Sequence, residues 1–260
     1  MNERRGLFLA IYWGFAVYLF VPLALVVVMG FKDSRFIGFP IEEWTLRWYR
    51  EILGDADVIG AFAYSLAIAI LSTVFSLIMG TWVACLLGPR QFFGKLVVFA
   101  IACLPAVIPG VISAIALRVF VRFIGLEPGF WAIVFGHTVH NVPFVMLVVM
   151  ARLSTLPKSQ VEAARDLGAD PLLAFLRVTM PYLTPALIGA AVFCMLLSFD
   201  DFVRSFFLGS YQPTLPVLIF AELRSGMSPE INAISTVALV LTAALGIWAE
   251  RSMRKSGARG

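Results

Sequence analysis

The sequence predicts an all-α, polytopic membrane protein with six transmembrane helices in a single domain spanning residues 1–260. Three observations carry this. Hydrophobic residues make up 60% of the chain and charged residues 14%, with a mean hydropathy of +0.91; a soluble domain is about half apolar and about a quarter charged. Six apolar segments reach the roughly 20 residues that a bilayer span requires, at about 7–31, 60–87, 95–124, 130–152, 183–208 and 230–250. Finally, Lys and Arg are shared unequally between the loops, which sets an orientation.

The first apolar run, Leu7 to about Met29, follows Arg4 and Arg5. It exceeds the roughly 7–15 residues of a signal-peptide core, so it reads as a first span that also directs insertion. The loop 32–59 contains Trp44, Trp48 and Tyr49. From Ile41 to Leu53 its polar and aromatic residues alternate at roughly helical spacing, which fits either an interfacial helix on the outer surface or aromatic anchoring at the headgroups. Gly88 to Lys95 faintly resembles a phosphate loop. It has one residue too many between the glycines and Leu96 where a magnesium-binding hydroxyl belongs, so no nucleotide site is read there. In the third segment Pro105, Pro109 and Gly110 predict a break or kink. Cys85, Cys103 and Cys194 lie in apolar segments without metal or disulfide spacing and read as small buried hydrophobes.

His137 and His140 share a helix face near the start of the fourth segment, beside Asn141. Two readings stand: hydrogen bonding between helices, or a proton path in a self-sufficient secondary transporter. No carboxylate or thiolate is near them in sequence, and no hydrolase arrangement of catalytic groups stands out.

The long polar stretch 153–182, between two apolar segments, cannot face lipid and is available to a soluble partner. Lys158 to Leu167 predicts a short helix entered at Pro157, and Gly168 suits its C-terminal turn. Asp170-Pro171 suits the cap and first position of a second helix ending before Pro181. Placing the N-terminus in the cytoplasm gathers Arg4, Arg5, Arg90, Lys95, Arg152, Lys158, Arg165, Arg177, Arg251, Arg254, Lys255 and Arg259 on that side, and leaves most of the acids outside. Both termini are therefore expected in the cytoplasm.

The order Glu162-Ala163-Ala164, three residues, Gly168, nine residues, then Val178-Thr179-Met180-Pro181 closely resembles the EAA motif of ABC importer permeases, which usually ends Ile-x-Leu-Pro. Val178 and Met180 are conservative departures. A second match, Ser198-Phe199-Asp200-Asp201-Phe202 with Thr214-Leu215-Pro216 and Met227 to Ala233, resembles the second permease of spermidine/putrescine systems. Leu104-Pro105 and Ile108-Pro109-Gly110 fit the same group. The similarity runs from about residue 7 to 250.

This resemblance implies a type I ABC importer permease fold in a bacterial inner membrane. It implies that 153–182 is a coupling loop for a separate ATPase, with Glu162, Ala163, Ala164, Gly168, Pro171 and Pro181 as its coupling residues. The implied partners are a second permease subunit, two ATPase subunits, an extracytoplasmic solute-binding protein and the lipid bilayer, with no nucleic acid. This chain would bind no cofactor; ATP and magnesium would sit on the ATPase.

A polyamine route needs carboxylates and aromatic faces that tolerate a cation. Asp200 and Asp201, with Phe199, Phe202 and Tyr211 around them, are the candidate substrate path, Asp200 leading. Arg204, at i+4 and i+3 from the two acids, is placed to pair with one and leave the other for substrate or gating. Glu127, Glu222 and Glu230 add to an acidic outer face that suits either the solute or the binding protein. Another small solute, such as an amino-acid derivative, an organophosphonate or ferric iron, is the alternative within the class.

Overall fold

A computed structural model describes residues 2–34, 38–88, 91–226 and 229–257. Arg90, Arg259 and the Met227-Ser228 pair, all used above, lie outside the described residues. Helices are the regular structure among the described residues, accompanied by one isolated antiparallel bridge between Lys32 and Trp44.

In chain order the helices are α1 (Asn2–Met29), α2 (Arg47–Gly54), α3 (Ala56–Leu87), α4 (Lys95–Val107), α5 (Gly110–Phe123), α6 (Phe130–Ser154), α7 (Lys158–Asp166) and α8 (Pro171–Ala174). A π-helical turn, Phe175–Thr179, leads into α9 (Met180–Phe199), followed by α10 (Phe202–Leu208), α11 (Leu215–Ser225) and α12 (Pro229–Gly257). Five stretches are long and apolar enough to cross a membrane: Ile11–Met29, Ala56–Leu87, Phe130–Ser154, Pro171–Phe199 and Pro229–Trp248.

The expected third span is instead two helices, α4 and α5, bent by 109°. It brings the number of spans to six only if the bent pair counts as one. The cause is local. Pro109 has no N–H for the Pro105 carbonyl, and Ile108 is extended at φ −68°, ψ 132°, the conformation that a following proline favours.

The expected fifth span, 183–208, is also corrected. Its helix ends at Phe199, and 202–208 is the separate helix α10. The second helix of the polar loop does not stop before Pro181. A turn widened by the π-type bond from the Met180 N–H to the Phe175 carbonyl carries it into α9; such a turn relieves the clash between a proline ring and the preceding carbonyl.

The described residues form two compact units, Met1–Gly60 with Leu218–Ala243, and Ala61–Val217 with Ala244–Gly260. In the first, the apolar side of α1 is uncovered by the chain itself, as Phe8, Tyr12, Phe15 and Phe20 show, and is left to lipid or a partner. The loop after α1 folds back on itself. The Trp48 indole N–H donates to the Lys32 carbonyl at 2.8 Å, and the Lys32 ammonium donates to the Gly38 carbonyl. The helix expected over Ile41–Leu53 is shorter, Arg47–Gly54. Trp48 is 3% exposed, so it is a core residue rather than a surface anchor, while Trp44 stays exposed. Gly30 admits close neighbours: a Cβ there would lie 2.8 Å from the Tyr49 hydroxyl and 3.2 Å from the Ala233 nitrogen.

The second unit has two apolar cores. Ala84, Leu87, Val145, Met146, Val149, Leu183 and Cys194 join α3, α6 and α9. Ile68, Val121, Ile133, Val134 and Leu208 join α3, α5, α6 and α10. Cys194 is buried and Cys85 and Cys103 are half-buried, all free thiols. Gly80 sets the approach of α3 to α6, since a Cβ there would fall 2.6 Å from Val145 Cβ and 3.0 Å from the Val142 carbonyl oxygen. Val145 is itself fully buried and has nowhere to move. Gly80→Val should therefore cost about 1–3 kcal/mol by overpacking and lower the melting temperature of the solubilised protein. Gly60→Val, whose Cβ meets nothing within 4 Å, is expected to leave it unchanged.

Candidate functional site

The polar loop is built from two capped turns. Helix α7 ends in a complete Schellman motif: the Gly168 N–H bonds to the Arg165 carbonyl at 2.9 Å and the Ala169 N–H to the Ala164 carbonyl at 3.0 Å. This requires Gly168 at φ +90°, where a side chain would be strained. Asp170 then caps α8, its Oδ1 accepting the Leu173 N–H at 2.7 Å, with Pro171 at the first position. Glu162, Ala163, Gly168, Pro171 and Pro181 are exposed, and Ala164 is half-buried. The base of the loop is clasped. The Arg152 guanidinium lies 4.0 Å from the Tyr182 ring centroid and donates to the Tyr182 carbonyl, and the Tyr182 hydroxyl donates to the Thr155 carbonyl. Leu167, Leu172 and Leu176 nevertheless remain exposed, at 90%, 66% and 52%.

The second site is the break between α9 and α10. Asp200 is the C-terminal cap residue of α9 and is exposed. Asp201 caps α10, its Oδ1 accepting the Arg204 N–H at 2.9 Å, while its Oδ2 lies 2.6 Å from Arg204 Nη1. Arg204 is 5% exposed, and its Nη2 donates to His140 Nδ1 at 2.9 Å. A guanidinium only donates, so His140 offers its Nδ1 lone pair and carries its proton on Nε2. His137 lies deeper. Its Nδ1 is 2.6 Å from Ser198 Oγ, its Nε2 is 3.3 Å from Ser205 Oγ, and the same Nε2 is 4.0 Å from Asp201 Oδ2. Ser198 Oγ continues to Ser72 Oγ at 2.9 Å. The result is a buried polar chain linking α3, α6, α9 and α10. The far end of α10 is held by Arg118, whose Nη1 donates to the Phe207 carbonyl at 2.7 Å and the Gly209 carbonyl at 3.3 Å. Around the break, the Phe199 ring meets Phe62 edge-on at 5.5 Å and Phe202 lies 5.4 Å from Phe206, whereas Tyr211 lies beyond the far end of α10 and is fully exposed.

A family model described as "Binding-protein-dependent transport system inner membrane component" matches residues 76–259. The chain belongs to this family. It is thus a multi-pass inner-membrane transport subunit and not an enzyme, which sets aside the self-sufficient transporter. Among relatives of this binding-protein-dependent family, the "Spermidine/putrescine transport system permease protein PotC" of Escherichia coli (strain K12) is 33% identical over 240 residues, 92% of this chain and 89% of the relative. The "Putrescine transport system permease protein PotI" of the same organism is 33% identical over 242 residues, 89% of this chain and 85% of the relative.

Among solved structures, a bacterial ABC transporter involved in the import of the acidic polysaccharide alginate superposes with a TM-score of 0.74. It is 19% identical and covers 96% of both chains. The inward-facing MetNI methionine ABC transporter gives a TM-score of 0.65 at 24% identity, covering 76% of this chain and 95% of that one. The fold is therefore that of a type I ABC importer permease.

The sequence alone marks the turn at Gly168, the Asp170-Pro171 cap and the pairing of Arg204 with one aspartate. It does not show that Asp201 comes within 4.0 Å of His137. Nor does it single out Ser72, Ser205 or Arg118, since their partners lie in other helices and no local pattern marks them. Glu127 and Glu222 are exposed and Glu230 is half-buried. Replacing Ser198 with Ala would strand the His137 Nδ1 in a buried site and should cost about 1–3 kcal/mol. Ser205→Ala, removing only a 3.3 Å contact, should lower the melting temperature of the solubilised protein less.

Proposed function

We propose that this chain is one transmembrane subunit of an ATP-driven importer that carries a polyamine, putrescine or spermidine, inward by alternating access. The observation that carries the solute is the 33% identity, over about nine-tenths of the chain, to two permeases named for these solutes. On this reading residues 1–260 serve as one permease domain with both termini in the cytoplasm. A second permease, two ATPase subunits that hold ATP and magnesium, and an extracytoplasmic binding protein complete the machine.

The polar loop 153–182 is the coupling element. Its capped turn at Gly168 and Asp170 leaves Leu167, Leu172 and Leu176 exposed on a loop that also exposes Glu162 and Arg165. Exposed leucines on a loop that also carries charge suit a groove on a soluble protein better than water. Glu162, Ala163, Ala164, Gly168, Pro171 and Pro181 form or shape that surface. The break at Asp200-Asp201, with Phe199, Phe202 and Tyr211, supplies through the exposed Asp200 the anionic and aromatic character that a flexible polycation needs.

Uptake of labelled putrescine and spermidine in cells tests the whole reading. Glu162→Lys reverses a charge on the docking surface. Gly168→Asp places a side chain at φ +90°, where any residue but glycine is strained. Both variants should insert normally and lose uptake. Uptake that survives both changes would remove the coupling role. Transport of neither polyamine by the unaltered chain, with its partners present, would remove the solute.

A further inference from the structure

We propose that the two adjacent aspartates divide their labour: Asp201 is a positioning residue that, with Arg204 and His140, locks the break between α9 and α10, and Asp200 alone meets the cationic solute. The half of this that concerns Asp200 rests on the polyamine reading above; the lock does not.

Both oxygens of Asp201 are already used within one helical turn. Oδ1 takes the Arg204 N–H at 2.9 Å and Oδ2 the Arg204 guanidinium at 2.6 Å. The two side chains are 8% and 6% exposed. The other arm of Arg204 ends on His140 at 2.9 Å, which ties α10 to α6. The cluster is balanced, with one carboxylate against one guanidinium and an imidazole acting as acceptor. A solute ammonium entering it would face a carboxylate that is already neutralised and a guanidinium that repels it. Such a pair is costly to break from one side, because the survivor is a buried, uncompensated charge.

Asp200 differs in every respect. It is exposed, and its backbone alone is engaged: its N–H bonds to the Leu196 carbonyl at 3.2 Å and its own carbonyl accepts from Phe202 at 2.9 Å. Among the described residues nothing pairs with its carboxylate. It is held at a fixed point because the lock fixes the next residue. The charge that the sequence doubles is therefore presented once.

The discriminating experiment is a charge-balance series on the complete importer, read by melting temperature and by putrescine uptake kinetics. Asp201→Asn keeps an N-cap acceptor but strands Arg204. Arg204→Gln strands Asp201. The double change D201N/R204Q removes both charges together. The lock predicts that each single change at 201 or 204 lowers the melting temperature by roughly 5 °C or more and reduces the maximal uptake rate. It predicts that the double recovers most of both losses, since removing a matched pair is far cheaper than breaking it. Asp200→Asn should leave the melting temperature unchanged and raise the putrescine KM about tenfold or more, as loss of one charge contact does.

If Asp201→Asn instead raises KM with an unchanged melting temperature, and R204Q brings no recovery, Asp201 is a solute ligand and the division fails. If the unaltered importer takes up neither putrescine nor spermidine, the assignment of Asp200 to a polyamine falls. The melting series then still decides whether the lock exists.

Discussion

Inside a bilayer no water is present to satisfy a backbone polar group, so any interruption of a helix must be covered by the protein itself. The arrangement of the second unit follows from this constraint. The chain interrupts its helices at Ile108-Pro109 and at Asp200-Asp201. At the second break its buried or half-buried polar side chains gather. Asp201 covers the first turn of α10, Arg118 takes two carbonyls at its end, and the Gly129 N–H takes a third, that of Leu208, at 2.9 Å. What reads as a scatter of Ser, His and Arg in apolar sequence is the cost of permitting a non-helical segment there. Non-helical backbone at such depth is tolerated where it is buried in protein or lines a cavity, and that is where an unpaired acid such as Asp200 can be presented.

Gly80 and Gly136 play the complementary part. At Gly80 the helices approach more closely than a side chain would permit, and at Gly136 the absent side chain leaves room for the buried Leu208, whose Cδ1 would lie 2.2 Å from a Cβ there. Membrane helices gain little from burying apolar surface against each other, because lipid is equally apolar. Close approach and hydrogen bonds must supply the difference. In this unit the two coincide on α6, which carries Gly136, His137, His140 and Asn141 within less than two turns. The Asn141 amide donates to the Cys194 carbonyl of α9 at 3.3 Å.

Local rules made much of this legible in the sequence. The apolar segments, the turn at Gly168, the Asp170-Pro171 cap and the i+3 pairing of Asp201 with Arg204 all depend on residues within a few positions of one another. Where the reading failed, a neighbour in space decided the outcome or two local rules competed. Pro181 is a helix stop by its chemistry, yet a single widened turn carries the helix past it. Trp48 has the character of an interfacial anchor, but the Lys32 carbonyl takes its indole N–H and it becomes core. No carboxylate is near His137 in sequence, yet Asp201 comes within 4.0 Å of it from 64 positions away.

The two candidate sites are opposite ends of one helical stretch. Pro171–Phe199 runs 29 residues, about 43 Å at ~1.5 Å per residue. It begins at the Asp170 cap beside Gly168 and ends at Asp200. It is interrupted by the π turn at Phe175–Thr179 and carries Pro185 within its helix. Beyond that turn, the clasp of Arg152 and Thr155 on Tyr182 ties it to α6, and α6 carries the histidine that receives Arg204 at the far end. The π turn lies just ahead of α9 and of the clasp on Tyr182. Helices α6 and α9 are thus antiparallel rods joined near both ends, the arrangement that the proposed coupling role of the loop calls for.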